Sequence, residues 1–222
     1  MRFGLPALCA AVALFVPHAA SPQGALPSAR YQPPPPTPLD EEIGRRFAGT
    51  ISLDITETRV GGELRGCNLV YVAASRDFTY RQGGAVAVSG SLQVGWSPPH
   101  HLYWAIKVVP QDLLIERDGS LARRTFTPSL AWMQAGRFTT VGRVPNPFMC
   151  EAGGFCGAGN EGLIELLEAI VPGRFRLGIQ RWAGGQDLIM PLDLGVGPNG
   201  QDTSTAFGQC LLNLLHEAER AG

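Results

Sequence analysis

Four cysteines, Cys67, Cys150, Cys156 and Cys210, follow an apolar leader, and together these features constrain the chain more than anything else in it. Met1 and Arg2 form a minimal positive start. The apolar run from Phe3 to Val16 has the length of a signal-peptide core and is short for a bilayer span. Residues 1–20 therefore read as an export signal, with small residues at Ala19-Ala20 and a His18 larger than its position prefers, which leaves the cleavage point anywhere from Ala19 to Ala25. Cys9 leaves with that segment. An even number of cysteines in an oxidising compartment reads as two disulfides, for which three pairings exist. The spacing favours Cys150 with Cys156, which enclose the short glycine-bearing loop Glu151-Ala152-Gly153-Gly154-Phe155, and this leaves Cys67 for Cys210.

Ser21 to Pro38 carries seven prolines and reads as an extended tether without a core of its own. Residues 39–222 then make one β-rich domain, a size at which a single hydrophobic core suffices. Apolar residues recur with period two at Ile51, Leu53 and Ile55 and at Val86, Val88, Leu92 and Val94, and Leu69 to Ala73 is a short apolar run carrying Tyr71. Leu102 to Val109 and Phe138 to Val144 predict two more strands. Turn signals at Gly61-Gly62, Gly83-Gly84, Ser97-Pro98-Pro99 and Asp118-Gly119 separate these runs at antiparallel spacing. Towards the carboxyl terminus Asn160 predicts the cap of a helix through Val171. Phe175 to Ile179 and Leu188 to Leu194 predict a hairpin turned at Gly184-Gly185, with Pro191 placing the returning strand at an edge or turning its missing donor outward. Thr203 or Ser204 predicts the cap of a last helix with Phe207, Cys210, Leu211 and Leu214 on its apolar face and His216 and Glu217 on its polar one. The fold class is mainly β: an antiparallel sandwich or barrel-like domain with two helices in the carboxyl-terminal part.

The charge balance is near neutral, with 18 basic and 19 acidic residues and no basic run longer than a pair. Nucleic acid is excluded as a partner on that ground, since its binding needs clustered cations. Lys107 is the chain's single lysine. No catalytic, cofactor-binding or metal-ligating set is assigned. His100 and His101 are adjacent on an extended chain and point to different sides, and no histidine stands at zinc-site spacing from a cysteine. Asp54, Asp77 and Asp112 are candidate carboxylates whose spacing specifies no chemistry. Trp96 and Trp182 fall near strand ends or turns, where an indole can serve as a recognition anchor, the other reading being core packing, the commoner role of a large aromatic. With His100 and His101 they form the candidate recognition set.

Cys150-Glu-Ala-Gly-Gly-Phe-Cys156, the segment LIELLEAI ending in Pro172-Gly173, the strand RFRLGIQ, the segment IMPLDL and Ala206-Phe207 together resemble the carboxyl-terminal half of the invasion-associated locus B family. The resemblance spans residues 145–215. It implies an exported bacterial protein, disulfide-linked and mostly β, tied to host-cell invasion and without a catalytic site. The chain departs from that family in its amino-terminal half, where Cys67 stands alone instead of in a close pair. The functional expectation is a non-enzymatic exported protein, periplasmic or secreted, binding a protein or cell-envelope partner, with no membrane span once the signal is removed. The alternative is a small exported hydrolase with its site near His100 and His101.

Overall fold

The computed structural model describes residues 38, 49–98, 101–116, 118–144, 147–150, 153–170, 172–195 and 202–220. The signal segment, almost all of the proline-rich segment, and His100 lie outside the described residues. The strands are β1 (Gly49–Val60), β2 (Glu63–Asp77), β3 (Gly84–Ser97), β4 (His101–Ile115), β5 (Leu121–Thr125), β6 (Leu130–Ala135), β7 (Phe138–Thr139), β8 (Phe148–Cys150), β9 (Gly154–Gly159), β10 (Arg174–Gln180) and β11 (Leu188–Asp193). Two helices, α1 (Leu163–Ile170) and α2 (Thr203–Arg220), lie in the carboxyl-terminal part. A large antiparallel sheet runs β1-β2-β3-β4-β9-β8, with β5 also paired to β4, and a smaller one runs β11-β10-β6-β7. The sheets curl into a half-barrel.

The period-two pattern decides which face is buried. Leu69, Tyr71 and Ala73 on β2, Val86, Val88, Leu92 and Val94 on β3, and Trp104, Ile106 and Val108 on β4 all enter one core. Phe175, Leu177 and Ile179 on β10, with Leu188, Met190 and Leu192 on β11, supply the opposing layer. Gly90 is required where it stands. Tyr71 crosses its α-carbon, so a Cβ there would lie 2.7 Å from the phenol ring, and the phenol O–H donates to the Lys107 carbonyl at 3.2 Å. Burial pushes the Tyr71 hydroxyl well above its ordinary pKa. Pro191 sits on β11, an edge of its sheet, where the missing donor breaks no ladder.

Both disulfides form as the spacing favoured. The Cα atoms of Cys67 and Cys210 are 6.0 Å apart and those of Cys150 and Cys156 are 5.7 Å apart. Helix α2 buries Phe207, Cys210, Leu211 and Leu214 against the large sheet. Three local expectations are corrected. The strand predicted over Phe138–Val144 stops at Thr139, because Thr140 is buried and binds Met133 twice, through its own N–H and through its hydroxyl. Helix α1 starts from Gly162, at φ +74°, whose carbonyl accepts the Leu166 N–H, and not from a cap at Asn160. Helix α2 is capped by Asp202, which accepts the Thr205 N–H and both the Ser204 and Thr205 hydroxyls. Glu217, on the polar face of α2, is half-buried and engaged. Its carboxylate accepts the Leu64 N–H at 2.6 Å and faces Arg59 at 3.9 Å, which fastens α2 to the start of β2.

Candidate functional site

The far end of β2 is where the two sheets are joined by charge. Asp77, the last residue of β2, is fully buried, and one of its carboxylate oxygens accepts the Tyr80 N–H at 2.7 Å while its carbonyl accepts those of Arg81 and Gly83. These bonds wind the β2–β3 turn tightly and leave Gln82 and Gly83 at positive φ. From the other sheet, Arg181 follows β10 and spreads its guanidinium over two carboxylates. Its Nη1 donates to Asp112 at 3.1 Å, and its Nη2 reaches Asp112 at 2.5 Å and Asp77 at 3.0 Å. Arg81 completes the set, 3.3 Å from Asp112 and 2.7 Å from the Ala85 carbonyl. Two carboxylates therefore meet two guanidinium groups, a balanced arrangement in which burial is tolerated because each charge is paired.

Burial disfavours the Arg181 charge, but its hydrogen bond and attraction to Asp112, and then to Asp77, raise its pKa above the ordinary arginine value. The guanidinium also lies 3.9 Å over the Phe126 ring and 5.6 Å from that of Tyr80. Both carboxylates are engaged by guanidinium groups, so their role is to hold two turns in register. What the cluster presents to solvent is the next residue. Trp182 is 54% exposed and meets Tyr80 edge-on, with ring centroids 4.5 Å apart. Tyr80 is itself fastened, its hydroxyl donating to the Gln186 carbonyl. In the neighbouring turn Phe78 is 67% exposed, with the Arg76 guanidinium 4.6 Å from its ring.

No family model, curated protein or solved structure matches the chain. The site therefore rests on its own geometry. Of the residues singled out in the sequence, Trp182 stands at this surface, and Asp77 and Asp112 are brought together on Arg181. Asp54 is not among them; it lies exposed on β1 and accepts the Ile55 N–H. Trp96 is corrected. It is only 3% exposed, its indole N–H donates to the Leu64 carbonyl at 2.9 Å, and Arg65 covers its ring at 3.7 Å, so it is a core residue and not an exposed anchor. His101 is exposed at the start of β4, opposite Ser97, and His216 is exposed on α2. Among the described residues no group of His, Cys, Asp or Glu is arranged to hold a metal ion. Arg181, Tyr80 and Phe78 were not singled out, although Arg181-Trp182 immediately before Gly184-Gly185 is a signal that could have marked the turn.

Proposed function

We propose that this chain is an exported bacterial binding protein, periplasmic or secreted, whose recognition surface is the pair of turns carrying Trp182 and Phe78 and whose partner is a protein or cell-envelope component. The observation that carries this reading is Trp182: a large indole left half in solvent yet braced by Tyr80 and by the buried Arg181 cluster. A braced aromatic gives up little side-chain freedom on binding, which is why tryptophan dominates the energetics of interfaces. Export is supported by the leader and by the two disulfides. No helix of the described residues is long and apolar enough to cross a membrane. The resemblance of residues 145–215 to the invasion-associated locus B family motivates the choice of a host-facing or envelope partner.

The test is binding of the mature chain to isolated cell envelopes and to host-cell surface proteins. Trp182→Ala should weaken binding about tenfold or more, as an anchor at an interface centre does. Ile164→Ser, which changes an exposed apolar residue on α1, should leave binding unchanged. Equal binding by wild type and Trp182→Ala defeats the proposal, as does an ester- or amide-hydrolysing activity abolished by His101→Ala.

A further inference from the structure

Cys156 on β9 and Lys107 on β4 are direct register partners, so their side chains leave the same face of the sheet with Cβ atoms about 5 Å apart. That face is the outer one, because Ile106 and Val108 on either side of Lys107 point into the core. Both residues line a shallow groove of about 220 Å³ floored by the small residues Ser91, Ala105, Gly157 and Ala158. Among the described residues no carboxylate lies within ion-pair distance of Lys107. The other half of the bridge, Cys150, is partly exposed, whereas Cys67 and Cys210 are both buried. One half of this bridge is thus partly exposed, and the other, buried half has the lysine as its cross-strand neighbour.

We propose that Cys150–Cys156 is a thiol-exchange site, opened by a dithiol reductant, with Lys107 stabilising the sulfur that leaves. The incoming thiolate attacks Sγ of Cys150, and the electron pair of the S–S bond departs on Cys156. A mixed disulfide remains on Cys150, and the Cys156 thiolate sits beside the lysine ammonium, which lowers its basicity and makes it the better leaving group. The second thiol of the reductant, as thiolate, then attacks the reductant's own sulfur in that mixed disulfide and releases Cys150. Two electrons pass to the protein, its two thiolates take protons from water, and the reductant departs as its disulfide. Strand β8 is then held to β9 by three register pairs at the edge of the large sheet, without the covalent tie. Cys67–Cys210 offers no such access and remains a staple.

The experiment treats the oxidised mature chain with dithiothreitol under native conditions, alkylates with N-ethylmaleimide at intervals and maps the peptides by mass spectrometry. Cys150 and Cys156 should be alkylated about tenfold faster than Cys67 and Cys210, as expected of an accessible bridge beside a cation. Glutathione, a monothiol whose mixed disulfide is trapped when N-ethylmaleimide alkylates the freed Cys156, should be found on Cys150. K107Q should slow opening several-fold without shifting Tm, and K107R should restore it. Equal opening of the two bridges, glutathione on Cys156, or a K107Q rate equal to wild type overturns the proposal. If K107Q does not fold, the rate ratio and the adduct position in the wild-type chain decide it.

Discussion

Arg181 lies one residue beyond β10 and holds, at the same time, Asp77 from the end of β2 and Asp112 from β4, two elements of the other sheet. Removing it would leave two carboxylates with one guanidinium, and Asp77 is fully buried. Arg181→Ala should therefore cost about 3 kcal/mol, the lower end of what breaking a buried ion pair costs, because Asp112 is partly solvated and keeps Arg81. Arg124→Ala, which breaks the exposed pair with Glu116, should cost less than about 0.5 kcal/mol. Urea melts of the two variants check this, and comparable small losses would mean that the cluster holds nothing together. Trp182→Ala should change stability by no more than about 1 kcal/mol, since its contact is one edge-on aromatic pair. A binding defect in that variant therefore reports on recognition and not on folding.

Helix α2 shows how far one element can be read from its letters and where reading stops. Its apolar stripe, Phe207, Cys210, Leu211 and Leu214, has the helical period and is buried as the period requires. Leu211→Ala should cost roughly 2 to 5 kcal/mol through loss of core contacts. The polar face misleads, because a carboxylate on it is free or bound depending on what the rest of the chain brings beside it. Glu217 meets the buried Leu64 N–H, so Glu217→Ala should cost about 1 to 3 kcal/mol, the cost of a buried donor left without its acceptor. The long strands were legible too: β3 alternates through several residues, and β2 and β4 carry continuous apolar runs bounded by turn signals. Strand β9, Gly-Phe-Cys-Gly-Ala-Gly, carries almost no strand propensity and exists because β4 offers it an edge, and β6 has the short composition of either state. The hydroxyls of Thr205 and then Ser204 pull the Asp202 carboxyl down to about 2. Its folded pKa is below the ordinary value near 3.9, so its contribution is complete above about pH 4 and is lost as pH falls towards 2. The Tm gap between wild type and Asp202→Ala should accordingly be constant from pH 6 to about 5 and close between about 4 and 2.

Across the whole molecule, β2 is fastened at both ends by different chemistry. Near its start Cys67 is bonded to Cys210 of α2, and at its end Asp77 is clasped by Arg181 of the smaller sheet. Cys67 and Asp77 are ten positions apart, roughly 33 Å of strand, so neither fastening touches the other. The disulfide closes a separation of 143 residues and, by the loop-entropy relation, should stabilise the fold by about 5 kcal/mol, acting mainly on the unfolded chain. The clasp acts on the folded state. Sites this far apart, with no shared partner, add to within about 0.5 kcal/mol if one core joins them. The two sheets do share one core, from Tyr71 and Trp104 on the one side to Leu177 and Met190 on the other. The variant combining Cys67→Ser, Cys210→Ser and Arg181→Ala should therefore lose about 8 kcal/mol, the sum of the separate losses, in a single transition. That loss approaches the whole stability of many domains, so the melts are run in trimethylamine oxide, which favours the folded state through exclusion from its surface. Two transitions, or a combined loss well short of the sum, would show that the sheets unfold separately and that each fastening guards only its own end.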